Sequence, residues 1–127
     1  MRGFGDLEAV IMEHLWARPD HASVRDVLEA LQPTRPLAYT TVLTVMDNLH
    51  SKGFLARERI GRAHQYWPTR SRTDYAAELM GEALADSGNP TAALLRFVES
   101  MPPEEASRLR GALQDLGAEA TDAGPAR

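Results

Sequence analysis

AYTTVLTVMDNLHSKG, residues 38–53, is the stretch around which the rest of the chain can be ordered. Val42, Val45, Met46 and Leu49 recur at the i, i+3, i+4, i+7 spacing of one helix face. Tyr39, Thr40, Thr41, Leu43, Thr44, Asp47 and Asn48 fall outside that stripe. Gly53 stops the helix, because glycine takes the left-handed cap conformation without a steric penalty. The outward face is small and hydroxyl-rich, with one aromatic. That suits insertion into a groove better than simple solvation, which usually selects Glu and Lys. An amphipathic helix with a Thr-rich exterior is the plainer alternative, and the flanking segments decide between the two.

Upstream, Asp6 stands where an N-cap would. Leu7, Val10, Ile11, His14 and Leu15 follow at helical spacing, so the pattern predicts a first helix over 6–17. His14 has no companion ligand nearby and reads as a packed or solvated histidine. His21-Ala22 is long enough only for a very short extended piece. Ser23 with Asp26 resembles a capping box, and Val24, Val27, Leu28 and Leu31 stripe a second helix over 23–32. Pro33 and Pro36 break it. Two helices, a breaker and a third helix make the order of a helix-turn-helix.

After Gly53 the periodicity changes. Residues 54–60 and 63–68 have strand-like composition, with Gly61-Arg62 as the turn between them. A two-stranded hairpin is expected, with Arg57, Arg59 and Arg62 on or near its tip. Such a hairpin is marginal alone, so Phe54, Ile60, Tyr66 and Trp67 are expected to pack partly against the helices. Helix-turn-helix followed by a basic hairpin is a winged helix. Neither half alone would be as specific.

Ser71 to Asp74 opens a fourth helix over 72–87, striped by Tyr75, Leu79, Met80, Ala83 and Leu84. Asn89-Pro90 starts a fifth with Leu94, Leu95, Phe97, Val98 and Met101. Glu104-Glu105 suits the positive start of a sixth, striped by Ala106, Leu109, Leu113 and Leu116. The expected organisation is thus mainly α with a small β-hairpin. Residues 1–72 form a winged-helix DNA-binding domain, 73–116 a three-helix dimerisation domain, and 117–127 a disordered tail. The last two Leu- and Phe-rich helices lack an evident partner within the chain, which favours a second copy.

Charge divides the same way. The net charge is −4 over 127 residues. Residues 1–72 hold ten Lys/Arg against eight Asp/Glu, whereas 73–127 hold four against ten. Between 52 and 72 six basic residues face one acid, Glu58. A positive binding surface joined to an acidic second part follows. With no cysteine, disulfides and thiolate metal sites are excluded. No nucleophile motif, metal-ligand spacing or Gly-rich phosphate loop is visible, so catalytic residues, a metal and a cofactor are not expected. No apolar run spans a membrane and no signal-peptide core is visible. A cytoplasmic location is the expectation.

The runs Gly5–Trp16, Tyr39–Leu49 and Lys52–Leu55, followed by Gln65-Tyr66 and the Tyr75 helix, resemble the penicillinase (β-lactamase) repressor family over about residues 4–116. The resemblance implies a homodimer on a palindromic double-stranded operator, with the C-terminal helices as interface. It also implies repression of β-lactamase and antibiotic-response genes, relieved in many members by proteolysis after a membrane sensor detects a β-lactam. In several relatives the cut precedes a Phe in an Asn-Phe pair of the fifth helix; the corresponding pair here is Arg96-Phe97, the candidate proteolytic switch. The copper-responsive branch, which uses C-terminal cysteines, does not apply.

The DNA-binding residues so expected are Tyr39, Thr40, Thr41, Thr44, Asn48, Arg57, Arg59 and Arg62. Asp47 is suited either to accept from a cytosine or to hold a neighbouring Arg or Asn48, and the second is favoured. Dimerisation is assigned to Tyr75, Leu79, Leu94, Leu95, Phe97, Val98, Leu109 and Leu113. The competing readings are an enzyme, a winged-helix protein-interaction adaptor, and a ligand-responsive winged-helix regulator of another family.

Overall fold

The computed structural model describes residues 3–123. Its elements run α1 (Asp6–Ala17), α2 (Val24–Leu31), α3 (Tyr39–Ser51), β1 (Leu55–Ile60), β2 (Ala63–Pro68), α4 (Arg72–Asp86), α5 (Pro90–Glu99) and α6 (Pro103–Ala123). The chain divides into two compact units within α4, after Met80. The division falls eight residues later than the boundary expected at 72, because the first turns of α4 pack on the winged helix.

In the first unit the helical starts follow from side chains that satisfy free backbone groups. Ser23 Oγ accepts the Asp26 N–H at 3.1 Å while Asp26 accepts the Ser23 N–H at 3.0 Å, the reciprocal pair that starts α2. That accepted bond, together with the Ser23 hydroxyl, outweighs desolvation and lowers the Asp26 carboxyl below its ordinary range. At α1 the cap is Gly5 rather than Asp6, which becomes the first helical residue. The Glu8 carboxylate reaches back to the Gly5 N–H at 3.0 Å and so does the work expected of Asp6. Gly53 takes φ +88°, where a side chain would be strained, and turns the chain from α3 toward the hairpin.

The core gathers Ile11, Met12 and Leu15 of α1, Val24, Val27 and Leu31 of α2, and Val42, Met46 and Leu49 of α3. β1 and β2 pair antiparallel, Arg57 opposite Tyr66 and Arg59 opposite His64. Ala22 adds a single bridge to Tyr66, closed by bonds of 3.0 and 2.8 Å, so the short extended piece does exist. Phe54 and Tyr66 are buried as expected. Trp67 is half-buried and stacks on His21 at 4.0 Å. Ile60 is a correction: it is 56% exposed. It ends β1 next to the Gly61-Arg62 turn, beyond the reach of the helices. His14 is half-buried; desolvation first, then Arg18, lowers its pKa, which suits a neutral packed imidazole.

Tyr75 and Leu79 need a larger correction. Both were expected in a dimer interface, yet Tyr75 is buried and Leu79 packs against the same core. The Tyr75 ring stacks on Phe4 at 4.3 Å and meets Phe54 edge-on at 5.7 Å. Around this cluster Trp16 Nε1 donates to the Arg70 carbonyl at 2.9 Å, and Arg72 pairs with Glu13 at 3.0 Å. An apolar stripe on α4 therefore completes the winged helix.

In the second unit Asn89 caps α5 by accepting the Ala92 N–H at 3.1 Å, with Pro90 at the first helical position. No residue of α5 is buried. Leu94, Leu95, Phe97, Leu113 and Leu116 are all exposed by more than two-fifths. α6 continues to Ala123, so 117–123 is helical where a tail was expected. The remainder of that expected tail, 124–127, lies outside the described residues.

Tyr75→Ala should destabilise the first unit by about 3 kcal/mol in a urea melt, the cost of emptying a buried aromatic site. A loss below about 1 kcal/mol would return Tyr75 to the surface role first assigned to it.

Candidate nucleic-acid interface

With Val42, Met46 and Leu49 fully buried, α3 has no rotational freedom left. Its other face is presented outward as a set: Tyr39, Thr40, Thr41, Thr44, Asp47 and Asn48 are all exposed. Val45, counted in the stripe, is only half-buried, and Leu43, placed outside it, is half-buried against the core as well. The expected reading residues thus share one surface.

The hairpin supplies the second half. Arg62 sits in its turn and Arg59 beside it, the latter donating to the Gly61 carbonyl at 3.3 Å. Arg57 departs from expectation. It lies mid-strand, not at the tip, and its Nη1 pairs with Asp47 Oδ1 at 2.6 Å. Its guanidinium also lies 6.0 Å from the Tyr66 ring centre. The Tyr66 hydroxyl first, then Asp47, favours its charged form. Asp47 therefore holds an arginine, as its unusual place on this face suggested. The pair ties α3 to β1 and removes one cation from the outward surface.

Two ties were not legible beforehand. Arg25, in the first turn of α2, lies with its guanidinium 6.0 Å from the Tyr39 ring centre. Lys52 closes α3 onto α1 through Glu8 at 2.8 Å. The Arg25 contact could have been suspected only from knowing that α2 and α3 converge at their N-termini. Among the described residues no cluster of His, Asp and Glu could hold a metal ion, and no helix is long and apolar enough to cross a membrane.

A helix pinned by its apolar stripe, with a small polar outer face and a hairpin carrying arginines at its turn, defines the winged helix-turn-helix class of transcription regulators. The particular family follows from comparison: the penicillinase repressor profile matches residues 4–115, so the chain belongs to that family. It is similar to the transcriptional regulator BlaI of Mycobacterium tuberculosis, from strains CDC 1551 / Oshkosh and ATCC 25618 / H37Rv. The identity to each is 48% over 117 residues, 90% of this chain and 85% of the relative. Among solved structures it is similar to MepR, a transcription regulator of the Staphylococcus aureus multidrug efflux pump MepA. That match has a TM-score of 0.50 at 17% identity and covers 91% of this chain and 79% of that one. At this identity the likeness speaks for the fold alone. The family is one of transcriptional repressors, not enzymes.

Asp47→Asn should leave folding stability within about 1 kcal/mol, since an exposed ion pair contributes little. It should also free Arg57 and steepen the salt dependence of binding to random-sequence DNA by about one unit. An unchanged slope in a fluorescence titration would mean Arg57 is not withheld by Asp47.

Proposed function

We propose that the chain represses transcription by binding a palindromic operator as a homodimer, controlling β-lactamase and other antibiotic-response genes. The single observation that carries this reading is the joint exposure of the Thr-rich face of α3 and the arginines of the hairpin on a winged helix of this family. In this reading α3 enters the major groove. The hydroxyls of Thr40, Thr41 and Thr44 meet base edges or phosphates, and their methyls meet thymine methyls. Tyr39 and Asn48 bound that surface. Arg59 and Arg62 meet the backbone or minor groove, adding affinity with little sequence information. Arg57 contributes mainly by fixing the hairpin against α3.

The dimer is supported by what the second unit lacks. Every buried hydrophobic residue of the described chain lies between Ile11 and Tyr75, while α5 and α6 expose Leu94, Leu95, Phe97, Leu113 and Leu116. Val98 and Leu109 line a groove with Leu113 on the same two helices. A second copy would cover these faces, and its two-fold symmetry would be mirrored in the operator half-sites. Two weak half-site contacts then become one strong contact, so anything that parts the copies releases DNA. A cut at Arg96-Phe97 would do so. The bond lies near the end of α5, with both residues exposed, and cutting it severs Leu94 and Leu95 from Phe97, Val98 and α6.

Three outcomes are expected. Thr41→Ala should cost about 1–3 kcal/mol on DNA selected from a random pool, with a changed base preference at one position of each half-site; an unchanged preference removes Thr41 from direct readout. Arg62→Ala should weaken all sequences alike and lower the salt slope by about one unit. A chain ending at Arg96 should sediment as a folded monomer that no longer holds the selected DNA. Sedimentation as a dimer would place the interface elsewhere.

A further inference from the structure

A cleft in the first unit lies between the start of α2, the start of α3 and the hairpin turn, and its lining includes Arg25, Tyr39, Leu43, Arg62, His64 and Gln65. Its cations come from different elements, Arg25 from α2 and Arg62 from the turn between β1 and β2. Many basic side chains of this unit are already committed: Lys52 to Glu8, Arg57 to Asp47, Arg70 to Glu78 and Arg72 to Glu13. Arg25 and Arg62 are different. Among the described residues neither makes an ion pair or a side-chain hydrogen bond. The contact of Arg25 is the Tyr39 ring, 6.0 Å from its guanidinium carbon, which orients the group while leaving its N–H donors unspent. The acid in the lining, Asp26, is turned to the Ser23 N–H at 3.0 Å and serves the helix cap. The cleft therefore has open guanidinium donors, net positive charge and Tyr39 in its lining.

Duplex geometry says what would fill it. A protein that puts a helix into the major groove and a hairpin turn toward the adjacent minor groove must straddle the phosphate ridge between them. The space between the start of α3 and the hairpin turn is where that ridge passes. The geometry points to this cleft as a clamp for one backbone phosphate of the operator, held by Arg25 of α2 and Arg62 of the hairpin turn, with Arg25 over the Tyr39 ring. This rests on the repressor reading and deepens it. It assigns a DNA-contacting residue to α2, outside both the recognition helix and the hairpin. Guanidinium is the suitable group, since its planar fork meets two phosphate oxygens at once while its face stacks on an aromatic ring.

The test uses the full-length chain, DNA selected from a random pool by that chain, and an unrelated duplex of equal length. Arg25→Ala should keep the wild-type melting temperature, weaken both duplexes by a similar factor of about ten, and lower the salt slope by about one unit. Arg25→Lys should restore the slope but only part of the affinity. Neutral methylphosphonate linkages placed one at a time should weaken wild-type binding at each contacted phosphate. At one position in each half-site the loss should be distinctly smaller in Arg25→Ala than in the wild type, leaving only the share that Arg62 contributes there. Failure of the wild-type chain to hold any selected DNA would overturn the repressor reading and the clamp together. Normal wild-type binding with an unchanged salt slope in Arg25→Ala, or with additive effects at every neutral linkage, would overturn the clamp alone. Competition by millimolar inorganic phosphate that is lost in Arg25→Ala while DNA affinity stays intact would assign the cleft to a free anion and also overturn the clamp.

Discussion

The burial of Val42, Met46 and Leu49 is the constraint on which the rest of the first unit depends. A helix with three side chains fully withdrawn from water cannot roll about its axis without exposing them, at roughly 1.5–3 kcal/mol for each. The face opposite is therefore aimed by the core. Tyr66 extends this control to the hairpin: it is buried, it bonds to Ala22 through its backbone, and it sits opposite Arg57, which reaches Asp47 on α3. Hairpin and helix are thus set against each other by buried contacts below and by an ion pair above.

Charge is spent unevenly across this unit. Cations on the flanks are paired with carboxylates and tie elements together; those around the cleft are left with open donors. The result is a surface whose binding capacity is not the sum of its basic residues. Counting six basic residues between 52 and 72 overstates it, because Lys52, Arg57, Arg70 and Arg72 are internally engaged.

Much of the architecture could be read from residue order. The stripe of α3, the Ser23–Asp26 box, the stop at Gly53 and the Gly61-Arg62 turn are local signals, each complete within a few residues, and each corresponds to an observed element. The errors share one origin. Periodicity tells that a face is apolar, not what covers it. Tyr75 and Leu79 had the same signature as Leu94 and Phe97, yet Tyr75 is covered by Phe4, Trp16 and Phe54 from distant segments and Leu79 packs against the same core. Likewise Ile60 has strand-core chemistry but stands past the last helix that could shelter it. For the candidate site, the membership of the α3 face was legible because it is the complement of the stripe. Arg25 was not, since its place beside Tyr39 depends on how α2 meets α3, which no spacing within either helix encodes.

On the proposed reading, the length of α3 bounds how much sequence one copy can read. From Tyr39 to Asn48 the exposed face advances about 1.5 Å per residue, or about 14 Å in all. At about 3.4 Å per base pair that matches roughly four base pairs. A word so short recurs by chance throughout any genome, whatever the quality of its contacts. Addressing a single locus then demands a second word at a defined distance. On that reading, because the exposed face of α3 takes no part in the core, the vocabulary can change through Thr40, Thr41 and Thr44 without disturbing the buried framework that aims it.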